Sequence, residues 1–100
     1  MKEKIKIIAK RADRPDPYVT NISNNLKNLQ NFVGGNIEFV RVFSDCGIIC
    51  NEEGLLLGLP ENCNILGHYF VGDLFFVGVD GEDFTDCPLS LDLIKGMIRG

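Results

Sequence analysis

One hundred residues, 45% of them apolar and 24% charged, describe one domain (1–100) of ordinary globular composition with a modest core. No apolar run is long enough to span a membrane, and the charged, alternating start MKEKIKIIAKR does not read as a cleaved leader, so a cytoplasmic protein is expected. The net charge of −4 argues against direct nucleic-acid binding, which needs a basic footprint.

In chain order, KIKIIAK sets Ile5, Ile7 and Ala9 against lysines, the period-2 pattern of a half-buried strand. The proline-broken RADRPDP is a loop, and YVTNI returns as a second short strand. The period then changes. Ile22, Leu26, Leu29 and Phe32 or Val33 follow helical spacing and predict a central helix over about 23–33, with Asn21 or Ser23 as N-cap and Gly34-Gly35 as its stop. NIEFVRVF, rich in β-branched and aromatic residues, reads as a central strand, SDCG as a turn and IICN as the answering strand. NEEG turns again, Leu55 to Leu57 read as a third short strand, and GLPENCN as loop or a single helical turn. HYFVGDLFFVGVD is one long strand bent at Gly72, and DGEDF a turn. PLSLDLIKGMIR predicts a short C-terminal helix with Ser90 as N-cap and Leu91, Ile94 and Ile98 facing inward. The order predicts an α+β fold with a mostly antiparallel β-sheet.

Three segments, LQNFVGGNIEFV, CNEEGLLLGLPEN and VGDLFFVGVDGEDF, resemble in their order and spacing a domain family of small phage, prophage and plasmid proteins. The similarity covers about Ile5 to Phe84 and rests on Leu29, Gln30, Val33, Gly34, Gly35, Ile37, Glu38, Asn51, Glu52, Glu53, Gly54, Gly58, Leu59, Pro60 and Asn62. It implies a mobile-element origin and a bacterial host, and it hands over no catalytic residue. Cys46, Cys63 and Cys87 stand outside its pattern.

Charge is segregated along the chain. The first fourteen residues hold six of the ten basic residues: Lys2, Lys4, Lys6, Lys10, Arg11 and Arg14. From Val42 to Ile94 there is no lysine or arginine, and ten acids. Such a surface suits docking on a basic protein. The leading expectation is therefore a non-enzymatic protein that binds and inhibits a host nucleic-acid-handling defence protein, in concrete form an anti-CRISPR-type inhibitor of a Cas effector. Glu52, Glu53, Asp80, Glu82, Asp83 and Asp86 are the candidate contacts.

Two alternatives stay open. A small enzyme or ligand-binding accessory protein of phage metabolism would use Glu52 and Glu53 with Glu38 or His68, but adjacent carboxylates in a tight turn point apart into water. No nucleophile elbow or glycine-rich phosphate loop accompanies them, and no catalytic residue is assigned. A zinc-stabilised module would draw three or four ligands from Cys46, Cys50, Cys63, His68 and Cys87. Their spacing lacks paired C-x2-C knuckles, and on a straight strand Cys46 and Cys50 would sit about 13 Å apart, so a shared ion requires Cys46 to curl back from the turn. No cofactor is committed to, and the oligomeric state is left open.

Overall fold

The computed structural model describes residues 3–99; Lys2, one of the basic residues counted above, lies outside them, as does the side chain of Arg99. The elements in order are β1 (Lys4–Lys10), β2 (Tyr18–Ser23), α1 (Leu26–Val33), β3 (Ile37–Phe43), β4 (Cys46–Asn51), β5 (Glu61–Ile65) and β6 (His68–Val71). They are followed by β7 (Leu74–Asp80), β8 (Asp83–Thr85), α2 (Leu91–Met97) and β9 (Ile98–Arg99). The fold is α+β, and every strand pairing among the described residues is antiparallel.

A six-stranded sheet runs β2-β1-β7-β4-β3 with β8 paired to β7, and a three-stranded sheet runs β6-β5-β9. The strand register builds two rows of side chains across the large sheet. Ala9, Phe75 and Ile49 align on one face beneath Leu29 and Val33 of α1; Ile8, Phe76 and Ile48 align on the other, against Ile65 and Phe70 of the small sheet and Ile94 of α2. With both faces covered, β7 carries the unbroken apolar run Leu74-Phe75-Phe76-Val77.

This sandwiching corrects several sequence expectations. β1 is not half-buried, because Ile8 faces the second core while Ile5, Ile7 and Ala9 face α1. The central strand is β7, and NIEFVRVF lies at the edge as β3. HYFVGDLFFVGVD is two strands in different sheets; the chain crosses between them at Gly72, whose φ of 74° a side chain would resist. GLPENCN supplies β5, held by β6 and β9. The helix starts later than expected: Ile22 belongs to β2, and the N-cap is Asn25, whose Oδ1 accepts from the Asn28 N–H at 2.9 Å. Its stop at Gly34 is as expected. Ser90 caps α2 by accepting from the Leu93 N–H at 3.1 Å, Ile94 is buried, and Ile98 belongs to β9.

Candidate protein-binding groove

The turn NEEGLLLG is built as one helical turn rather than a strand. The Leu57 N–H donates to the Glu53 carbonyl at 2.9 Å, the Gly58 N–H to Leu55 at 3.2 Å and the Leu59 N–H to Gly54 at 3.0 Å. That pair of closing bonds is a Schellman cap, and it puts Gly58 at φ 66°, the left-handed position that favours glycine. The turn is anchored by buried Asn51. Its Nδ2 donates to the Val33 carbonyl at the end of α1 (3.1 Å), and its Oδ1 accepts from the Glu53 N–H (2.8 Å). The Glu52 N–H donates to the Asn36 carbonyl at 2.8 Å. Held this way, the turn presents three consecutive leucines to solvent: Leu55, Leu56 and Leu57 are 75%, 87% and 58% exposed.

Beside this turn lies a groove of about 520 Å³. One wall is β3, with Glu38 and Val40, and the other is β6, from His68 to Val71. Cys50 and Asn51 of β4 also line it, and Glu52, Glu53, Leu55 and Leu56 come from the turn. β3 and β6 are each the outermost strand of their sheet, so the groove runs between two sheet edges. Among the described residues, no lysine or arginine lines it. Arg41 lies one residue along β3 from Val40, with its guanidinium 5.6 Å from the Phe39 ring and donating to the Ser44 carbonyl.

The acidic residues expected to act together are divided. Glu52 and Glu53 sit at the groove, whereas Asp80, Glu82 and Asp83 lie at the β7–β8 hairpin, at the opposite end of the large sheet. The seven residues of β7 set the two groups roughly 20 Å apart. Asp86 has a structural partner, its Oδ1 accepting from the Lys6 N–H at 2.8 Å. Glu38 and His68, named with Glu52 in the enzyme alternative, do share the groove.

The cysteines take core positions. All four are free and buried, and no three His, Cys, Asp or Glu side chains among the described residues are grouped to hold a metal ion. Cys46 is the first residue of β4, in register with Gly78, and so does not curl back towards Cys50. Burial pushes the Cys46 thiol up to about 11, with Asp45 adding to it, and burial does the same to Cys50, with Glu38 adding. Cys63 and Cys87 are raised by burial as well. A thiol pKa above the ordinary 9 means that the folded state holds the proton more tightly than the unfolded chain. The contribution of Cys46 and Cys50 to stability is therefore complete below pH 9 and falls as pH rises through about 11, by about 1–3 kcal/mol for each of these two. Melting curves across that window should show the loss, and Cys46→Ala/Cys50→Ala should flatten it. Below pH 9 a thiol reagent should leave the folded protein unlabelled; rapid labelling of all four would contradict this placement.

Leu55, Leu56 and Tyr69 were absent from the sequence-derived site. Leu55 to Leu57 read as a third short strand, and the one signal against that is Gly58 following them, which suits a helical turn's cap. A family model described as "Domain of unknown function (DUF3846)" matches residues 5–98. No curated protein and no solved structure matches the chain.

Proposed function

This chain belongs to that family of unknown function, and from that premise we propose that it is a non-enzymatic binding protein of phage or mobile-element origin whose partner is a basic, nucleic-acid-handling protein of the host. The observation that carries the reading is the exposed leucine turn beside a groove whose charged lining residues are Glu38, Glu52 and Glu53. Exposed apolar side chains rimmed by charge are the makings of an interface: the leucines supply burial on contact, and the acids select a basic partner. In the concrete version the partner is a Cas effector and the acids occupy a groove that otherwise takes DNA or RNA, so inhibition is steric and electrostatic. The acids of the β7–β8 hairpin would contact it only if the footprint spans the large sheet.

Leu55→Ser/Leu56→Ser and Glu52→Lys/Glu53→Lys test this directly. Both pairs are solvent-facing, so each is expected to keep stability within about 1 kcal/mol. Each should abolish inhibition of DNA binding when the protein is titrated against purified Cas effectors. Variants that inhibit as well as the parent, or a parent that inhibits none, would sink the Cas version. Unchanged pull-downs from a bacterial lysate after reversal of all the candidate acids would sink the acidic-interface reading itself.

The groove's grouping of Glu38, Glu52 and His68 favours a second reading, a small-molecule site of an accessory protein. A compound that raises the melting temperature of the parent but not of Glu38→Gln would support it over the first.

A further inference from the structure

β3 is an edge strand, and its alternation determines which backbone groups face outward. The Asn36 carbonyl accepts from Glu52 N–H, and the Glu38 carbonyl lies 3.9 Å from Cys50 Sγ, both on the β4 side. Strand alternation then turns the N–H and C=O of Ile37, Phe39 and Arg41 to the open edge. A register shift between Arg41 and Phe43 ends the regular ladder there. The open edge therefore offers three consecutive outward residues beside the groove wall made by Glu38 and Val40.

We propose that the groove takes an extended segment of the partner as an added strand on β3, with lysine or arginine alternating with apolar side chains on the face turned to the groove. The inference rests on the binding-protein reading above and specifies how the partner is held. Main-chain bonds to Ile37, Phe39 and Arg41 supply the affinity, and the side chains beside them supply the selection. A basic residue of the added strand across from Glu38 meets its carboxylate, and the next on that face lies over Val40 and towards Phe70. Glu52 and Glu53 at the leucine turn extend the same preference to the end of the segment. Charge decides the occupant. A second copy of this chain pairing β3 to β3 would bring two sets of the groove's glutamates together, with no lysine or arginine among the described residues of either groove lining. A basic segment meets complementary charge instead.

The test uses the full chain and short acetylated, amidated peptides matched to the seven residues of β3. In one, lysine recurs at every fourth residue with valine midway between, so that the two alternate on one face of a strand; a second is N-methylated at the amides that would pair; a third has the same composition in blocks. Fluorescence anisotropy should show the first peptide binding at least about tenfold more tightly than either of the others. Hydrogen exchange at the Ile37, Phe39 and Arg41 amides should slow on binding by about tenfold or more. Binding of the N-methylated peptide within about twofold of the first, or unchanged exchange at those amides, overturns strand addition. If all three bind alike and all are lost in Glu38→Gln/Glu52→Gln/Glu53→Gln, strand addition falls while the acidic-interface reading stands. If none binds, strand addition falls, and the lysate experiment above judges the acidic interface separately.

Discussion

Asn62→Leu is expected to lower stability by about 3–5 kcal/mol, visible as a fall in melting temperature of about 15 °C or more. The reason is Lys10, a lysine only 4% exposed on the core side of β1. Its ammonium donates to the Arg11 carbonyl (2.9 Å), the Arg14 carbonyl (2.6 Å) and Asn62 Oδ1 (2.9 Å), which uses all three of its protons. The other end of the same carboxamide donates to the carbonyls of Lys10 (2.8 Å) and Gly72 (2.7 Å). Lys10 and Asn62 together tie β1, the proline-broken loop after it, β5 and the crossing point between the sheets. Leucine fills the volume but removes one charge-assisted bond and two bonds to backbone acceptors, leaving part of a buried ammonium unpaired. Adding Lys10→Met to Asn62→Leu removes the orphaned charge and should restore about 1.5 kcal/mol or more. A double variant no more stable than Asn62→Leu would show that the Lys10–Asn62 contact is not what the single substitution disrupts.

Phe75→Ala should cost a similar amount, about 3–5 kcal/mol, through a different mechanism. Phe75, the second residue of β7, is fully buried between Ala9 and Ile49, and the Phe32 ring of α1 stands edge-on to it at 5.1 Å and 80°. Truncation opens a cavity between helix and sheet that the neighbouring strands cannot close, because each is locked by pairing on both sides. It also removes the favourable aromatic pair, about 0.5–1.5 kcal/mol of the total. Chemical denaturation gives the measurement. Phe43→Ser, on a half-exposed aromatic at the sheet edge, should change stability by about 0.5 kcal/mol or less. Comparable losses for the two would contradict the burial pattern.

What could be read from residues alone followed locality. The body of α1 was legible because its spacing and its glycine stop are properties of one short stretch, and β1 because its lysines mark a period of two. The failures are places where distant pairing overrides local preference. Glu61-Asn62-Cys63-Asn64-Ile65 has few strand-forming residues and becomes β5 because β6 and β9 lie on either side of it. Leu55-Leu56-Leu57 looks like core, yet its backbone is claimed by the Gly58 cap and by Asn51, which leaves the side chains outside. Asn51, Gly54, Leu59 and Asn62 carried the family resemblance; the first three hold the backbone of the leucine turn, and Asn62 holds the crossing point at Gly72. Glu38, Glu52 and His68 could be named from chemistry, but their meeting around one groove depends on how the small sheet packs on the large one.

The position of β7 has a consequence for how the molecule comes into being. As the ribosome releases the chain, the β1–β2 and β3–β4 hairpins emerge first, yet neither pairs with the other. The strand that joins them is made only after the small sheet's first two strands have followed. Until then β1 and β4 each offer a bare, strongly apolar flank, the condition under which nascent chains stick to one another or to chaperones. The large sheet can close only after β7 (Leu74–Asp80) has followed both hairpins and the first two strands of the small sheet, so its folding is a late, collective event.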